Sequence, residues 1–482
     1  MAASPALPPR IRSLLDPGRY PHPVDRVELV ETHISWVLLA GAFAYKLKKP
    51  VTLPFVDYGS VERRRAHCAA ELRLNRRYAR DLYLEVVDFD GEPAVKMRRF
   101  DDACRLDRVC ARGALTPTHL SGLARTLAEF HAAAAIAPPS SRFGAPEQVM
   151  APARANFDEL DGLLPGESPR LTLLRAWTEA EFARCRDAFA ARKAGGFVRE
   201  CHGDLHLGNL VLLDGQVTPF DCIEFNEDFR WIDVASEIAF TYVDLLDHGQ
   251  PGLACWLLNE WLSWRGDQDS GGALAVLRFY AVYRAMVRAK VAALQGRIEA
   301  AAAYLALAER LGAPPRLTLT ITFGLSGSGK TTASSARLLA DPAAATLRWR
   351  SDVERKRLFG LDADADSGGA IYSADASART YARLADLART TLAHGWPVII
   401  DAAFLRRDER QAFAAIADGL GIPFDILACT APLDTLRRRL DARRDDASEA
   451  TAAVLEQQRE WLEPLDDAER ARASAPTPVR PD

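Results

Sequence analysis

Hydrophobic and polar positions along this chain change their rhythm twice, and each change marks a different architecture. Residues 27–30 (VELV), 36–39 and 43–48 (FAYKLK) are short apolar runs separated by a polar turn at 31–35 and by Gly41, a pattern that predicts three strands. Residues 61–78 (VERRRAHCAAELRLNRRY) predict a helix, and 83–87 and 94–97 two more strands. From Leu115 the spacing becomes helical, whereas 137–170 is rich in Pro, Gly and Ser and predicts loops or a mobile insertion. A further helix over 279–294 places Tyr280, Arg284 and Arg288 on one stripe, facing either an anionic group or water. Ala-rich helical sequence stops at Gly312-Ala-Pro314-Pro315, a linker signal. From Arg316 onward, strand candidates at 317–323, 345–350, 397–401 and 424–429 alternate with helical segments. Such alternation predicts a parallel sheet with ligands at the strand C-terminal ends. No fifth strand is evident, and the tail from Ala471 reads as disordered. Two domains follow, 1–312 and 316–482.

Composition narrows the classes of partner. A net charge of −4 gives no electrostatic case for nucleic acid. No uncharged apolar run is long enough for a bilayer, and Arg10 and Arg12 interrupt any signal-like segment. Eight cysteines without a C-x-x-C pair read as reduced, buried thiols of a cytoplasmic protein. Only eight of the 61 basic residues are Lys. Where Arg supplies the surface charge, a Lys marks a place that Arg does not fill, which singles out Lys330 and the group at 46–49.

Gly324-Leu-Ser-Gly327-Ser328-Gly329-Lys330-Thr331 fits G-x-x-x-x-G-K-[ST] between a β-rich run and a helical one that opens at Thr332. Glycines there let backbone N–H groups close around phosphates, and the positive end of the helix faces them. Lys330 reaches the β- and γ-phosphates and Thr331 holds Mg²⁺. Upstream, His202-Gly-Asp204-Leu-His206-Leu-Gly-Asn209 has the spacing H-x-D-x-x-x-x-N, and Asp221 follows Asn209 beyond a short β-run. Phosphoryl transfer suits this spacing: Asp204 accepts the proton of an acceptor hydroxyl, and Asn209 and Asp221 hold Mg²⁺.

HGDLHLGN followed by FDCIEF resembles the aminoglycoside phosphotransferase family of kinase-like folds. That resemblance implies an N-lobe over about 20–100, a C-lobe over about 101–312, and a strand lysine paired with nucleotide phosphates. Lys46 and Lys48 share one strand face, and Lys46 is the preferred candidate. Glu71, or alternatively Glu62, would orient it from the following helix. The turn lacks G-x-G-x-x-G, so His33 and Ser35 would cover the phosphates. The segment from Glu224 to Asp228 binds a cationic substrate or faces water, and Asp233 resembles a family Asp that braces the catalytic lobe.

The second domain resembles small P-loop kinases of the gluconate-kinase, zeta-toxin and polynucleotide-kinase type. By that resemblance Asp352 is the base for an acceptor hydroxyl, or simply an N-cap, with Arg355 beside the substrate. Asp401 lies near Mg²⁺ or substrate. Arg439, Arg443 or Arg444 forms a lid, or the run is a charged helix face. The whole chain resembles bacterial proteins that fuse these two units. The expected fold is an α+β protein-kinase-like domain followed by an α/β P-loop NTPase domain. The expected function is an ATP- and Mg²⁺-dependent phosphotransferase acting on a hydroxyl of a sugar, amino alcohol or aminoglycoside-like molecule. A regulatory ATPase in the second domain, or a macromolecular acceptor, is the alternative.

Overall fold

The computed structural model describes residues 7–53, 56–265, 267–365, 367, 371, 373–442 and 451–476. They form two compact units. The first holds the described residues up to Leu115 with Glu129–Gln148 and Arg192–Thr241; the second holds Thr116–Ala128, Val149–Ala191 and the described residues from Tyr242 on.

In the first unit a five-stranded antiparallel sheet runs in the order Val27–Glu31, Ser35–Ala40, Phe43–Lys48, Glu92–Arg98, Tyr83–Phe89. Alternation puts Trp36, Leu38, Ala40, Tyr45 and Leu47 into one core with Ile11 and Leu14. The opposite face, carrying Lys46 and Lys48, meets the helix Val61–Asn75. Ser60 caps that helix, its hydroxyl accepting from the Arg63 N–H at 3.2 Å. The helix buries Arg64, Cys68, Glu71, Leu74 and Asn75, a stripe at helical spacing that includes three polar residues.

Two short strand pairs hold the loops beyond the sheet. Val198–Glu200 pairs with Trp231–Asp233. Leu210–Leu213 pairs with Gln216–Pro219 through a two-residue turn, Asp214-Gly215, with φ of 50° and 78°. Two successive left-handed residues match the right-handed twist of a hairpin. This hairpin returns the chain so that the Phe220 N–H donates to the Asn209 carbonyl at 3.0 Å, which sets Asn209 beside Asp221. Arg192 and Asp233, both buried, form a bidentate pair at 2.7 Å.

The second unit contains a parallel sheet in the order Leu347–Arg350, Val398–Asp401, Leu319–Phe323, Phe424–Ala428, Ala473–Ser474. Every residue of Leu319–Phe323 and Val398–Asp401 is buried, as expected of strands covered on both faces. The edge strand Leu347–Arg350 lies against the helix Pro251–Arg265. Asn259 accepts from the Arg348 N–H at 2.7 Å and donates to the Thr346 carbonyl at 2.9 Å, so a side-chain amide satisfies backbone groups that an open edge would expose.

Several expectations are corrected. A fifth strand exists, Ala473–Ser474, and it occupies part of the tail expected to be disordered. The segment expected as loops contains the helix Pro146–Leu163. The stripe on the helix Asp267–Leu294 is not a solvated face, since Tyr280 and Arg284 are buried and Tyr280 packs on the Phe189 ring. Glu224 does not face water but is buried. Ser35 is buried in the strand Ser35–Ala40 directly opposite Lys48. The corrections at Tyr280 and Arg284, Glu224 and Ser35 have one cause: burial is decided by what packs against a segment, which local composition does not encode.

Candidate functional sites

In the first unit the site is built around one carboxylate. Glu71, fully buried, receives Lys46 Nζ on Oε1 at 2.8 Å and Lys48 Nζ on Oε2 at 2.7 Å. Lys46 also pairs with Asp221, and Lys48 with Glu224, to which the Tyr58 hydroxyl donates as well. Two ammonium groups thus face three carboxylates. Burial pulls both lysines toward neutrality, but the acids outweigh it, and both ammoniums are held above their usual range. Burial likewise pushes Glu71 up, yet Lys46 and Lys48 hold it below the usual carboxylate value. Of the three acids only Asp221 reaches solvent, its side chain about two-fifths exposed. Asp221 has a φ of 63°, a conformation that a non-glycine residue rarely adopts and that surrounding contacts must hold. Its N–H donates to Tyr83 Oη at 3.0 Å, and the next N–H, that of Cys222, donates to Asn75 Oδ1 at 2.9 Å.

Asp204 sits on the loop that leaves Val198–Glu200. Asn209 Nδ2 donates to its carbonyl at 2.9 Å and to Oδ2 at 3.0 Å, and His206 Nε2 lies 3.5 Å from Oδ2. Glu237 anchors the loop, accepting from the N–H groups of His202 and Gly203 at 2.7 and 3.0 Å. Gly203 has φ 91°, and a Cβ there would stand 2.5 Å from the Phe229 carbonyl. That contact explains why no side chain stands at this position. His202, fully buried, has a fixed tautomer. Nε2 must donate to the Phe220 carbonyl at 2.8 Å, because a carbonyl only accepts, and Nδ1 accepts from the Asp204 N–H at 3.3 Å. Burial accordingly lowers its pKa. Asp221 and Asn209 offer hard oxygen donors of the kind that suit Mg²⁺.

In the second unit, Gly324, Gly327 and Gly329 have φ of 142°, 80° and 91°, and Lys330 opens the helix Lys330–Leu339. A Cβ on Gly324 would lie 2.1 Å from the Cys429 carbonyl. Lys330 Nζ caps the carbonyls of Gly324 and Leu325 at 3.0 Å each. Ser328 Oγ is buried with no hydrogen-bond partner among the described residues, which leaves its hydroxyl able to donate to an added anionic oxygen. Thr331 is half-buried and Thr332 exposed. Asp401 ends Val398–Asp401. Its Oδ2 accepts from Ser334 Oγ at 2.9 Å, and Arg348 Nη1 reaches the same hydroxyl at 3.0 Å.

Around that loop, Asp352 stands half-buried in the first turn of Ser351–Leu358. The N-cap of this helix is Arg350, so Asp352 is not the cap. Arg355, on the same helix, is buried and donates to the Ile371 carbonyl at 3.3 Å and Ser377 Oγ at 3.1 Å. Of the arginine run, Arg437 pairs with Glu456 at 2.7 Å, and Arg439 Nη1 donates to the Gly327 carbonyl at 3.1 Å. Arg443 and Arg444 lie outside the described residues. Gln458 accepts from the Ser326 N–H at 2.8 Å. Sequence reasoning missed Tyr58, Ser334, Arg348 and Gln458, which carry no motif, and it placed Glu224 with a surface acidic run.

A kinase-like catalytic loop joined to a phosphate-binding loop on a parallel sheet defines a two-domain phosphotransferase. The family model for the phosphotransferase enzyme family matches residues 105–280, and that for an AAA domain matches 319–465. A curated relative from Mycobacterium tuberculosis, "Uncharacterized protein Rv2004c", is 31% identical over 459 residues, spanning 90% of this chain and 90% of its own. The chain belongs to that family, which fuses an aminoglycoside phosphotransferase-like domain to a P-loop kinase-like domain. Among solved structures, aminoglycoside 2'-phosphotransferase-IIIa with GDP is similar at 14% identity and a TM-score of 0.39, over 63% of this chain and 97% of its own. The Mycobacterium tuberculosis APS kinase CysC with AMPPNP and APS is similar at 28% identity and a TM-score of 0.22, over 26% of this chain and 69% of its own. Among the described residues no helix is long and apolar enough to cross a membrane.

Proposed function

We propose that this phosphotransferase uses Mg²⁺–ATP in its first unit to phosphorylate a hydroxyl of a sugar, amino alcohol or aminoglycoside-like molecule. A second small-molecule kinase site is formed by the P-loop. The observation that carries this reading is the Asp204 carboxylate. It is partly exposed and oriented by Asn209 Nδ2 at 3.0 Å, and the hairpin that follows Asn209 returns the chain to Phe220, next to Asp221. A carboxylate held this way accepts the acceptor's proton without reorganising. Lys46 neutralises charge on the phosphate side, and Asn209 and Asp221 would hold the metal. When bound, Mg²⁺–ATP supplies the transferable phosphoryl group. In the second unit Lys330, Ser328 and the amides around Gly327 and Gly329 would bind phosphates, Thr331 and Asp401 would serve the metal, and Asp352 would receive the second acceptor's proton.

The test is ATP consumption across a panel of sugars, amino alcohols and aminoglycosides with wild type, Asp204→Ala and Asp352→Ala. Acceptor-dependent turnover lost in one variant alone assigns that acceptor to its unit. Turnover unchanged in both would sink these assignments. A second reading, in which the P-loop domain is a nucleotide-responsive regulatory element, is supported by Arg348. This residue touches Ser334 beside Asp401 and also faces Glu260 at 3.8 Å on the helix Pro251–Arg265, so a change at the P-loop would be felt by that helix of the same unit. Acceptor-independent hydrolysis abolished by Lys330→Ala would favour it.

A further inference from the structure

We infer that Lys48 is not a second nucleotide lysine but a positioning residue. With Glu224 and Tyr58 it clamps the metal-binding segment 221–224 to the sheet, and so sets the Mg²⁺ affinity of the first site. The inference rests on the proposed role of Asp221 as a metal ligand.

Exposure separates the two lysines. The Lys46 side chain retains 13% of its surface, that of Lys48 only 1%. Lys48 ends on Glu71 and Glu224, with Tyr58 over the same carboxylate and the ammonium 4.9 Å from its ring centroid. Glu224 and Tyr58 are buried as well, so no nucleotide phosphate reaches this pair without dismantling it. A buried ion pair is a poor source of stability compared with apolar packing, because both charges are taken out of water. Its geometry, however, is stiff, since each charge is costly to leave alone.

What the clamp holds is specific. The segment 221–224 is tied residue by residue. The Asp221 N–H donates to Tyr83, the Cys222 N–H to Asn75 and the Ile223 N–H to the His202 carbonyl, while the Glu224 side chain takes Lys48. Two ion pairs thus join this segment to the strand Phe43–Lys48, Asp221 with Lys46 at its beginning and Glu224 with Lys48 at its end, and only the second is fully buried. Asp221 sits at its beginning in a left-handed conformation, φ 63°, which relaxes if the far end is released. Glu71 transmits the same constraint from the other side, holding Lys46 and Lys48 on its two oxygens. Groups that orient a ligating carboxylate commonly change metal affinity by roughly tenfold to a hundredfold when removed.

The experiment uses the full chain in a Lys330→Ala background and measures fluorescent ATP-analogue binding as Mg²⁺ is titrated. Lys48→Met is expected to raise the Mg²⁺ concentration for half-saturation by roughly tenfold or more. Nucleotide affinity without Mg²⁺ should stay within about twofold, with Lys48→Arg restoring part of the response. Because Lys48→Met leaves Glu224 buried and unpaired, Lys48→Met/Glu224→Gln is the companion variant, expected to melt close to wild type yet keep the Mg²⁺ defect. A wild-type Mg²⁺ midpoint in both variants, while Asp221→Asn shifts it, overturns the clamp and leaves the site reading standing. Binding insensitive to Asp221→Asn and Lys46→Met overturns the site reading and the clamp with it.

Discussion

Lys46 and Lys48 stand two residues apart on one strand and end on opposite oxygens of a single buried carboxylate, that of Glu71. They nonetheless face different tasks. Lys46 points toward the partly exposed Asp221, Lys48 toward the buried Glu224. Lys46→Met should therefore lower acceptor-dependent turnover of the first site by about a hundredfold to a thousandfold, the cost of removing one preorganised charge from a transferring group. Glu71 keeps Lys48 as its counterion, so the fold is expected to survive. Turnover in a Lys330→Ala background, beside a thermal melt, checks both.

Acid should loosen the catalytic loop through His202. Its folded-state pKa lies below the ordinary 6.5 because burial disfavours the cation. Protonated Nδ1 would also confront the Asp204 N–H that now donates to it. With a depressed folded value, the unfolded chain binds the proton first. The stabilisation is therefore complete above the ordinary value and is lost as pH falls from there through the folded value. Urea midpoints between about pH 8 and about pH 5 should decline below the ordinary value. His202→Asn should lack that part of the decline. Parallel curves for the two proteins would refute it.

Gly324→Ala should abolish nucleotide binding at the P-loop. The added Cβ would meet the Cys429 carbonyl at 2.1 Å, in a backbone conformation, φ 142°, that an L-residue rarely adopts. Equilibrium binding of an ATP analogue in an Asp221→Asn background reads this out. Affinity within about twofold of the parent would contradict the role of this loop.

Asp401→Ala should destabilise the second unit by about 3 kcal/mol, since it removes a buried acid from a site where Arg348 is also buried. Burial pulls the Arg348 guanidinium's pKa down, and Asp401 opposes that pull. Asp401→Asn can still accept from Ser334, so it should retain more of the stability while weakening Mg²⁺-dependent binding. Denaturant unfolding of the two variants, side by side with Mg²⁺ titration, separates the effects.

What the sequence by itself determined is what neighbouring residues can encode. The strands of the antiparallel sheet and four of the five parallel strands follow from hydrophobic period, while the helix Pro146–Leu163 does not. The left-handed glycines at 324, 327 and 329 follow from a motif whose chemistry lies in eight consecutive residues. The spacing of Asp204 and Asn209 closes one short loop, and a hairpin of ten residues, its Asp-Gly turn included, carries the chain from there to Asp221. The remainder needed the fold. Leu72 and Leu74 already favour Glu71 over Glu62, whereas the partners of Glu71 depended on which helix face meets the sheet. The pairing of Lys48 with Glu224 joins positions 176 apart, and that of Ser334 with Asp401 positions 67 apart. The strand Ala473–Ser474 is too short for any periodicity and exists because it adds to the edge of Phe424–Ala428. Charge burial and edge pairing are properties of what is brought alongside, so tertiary structure alone decided which acids became counterions and which stayed in water.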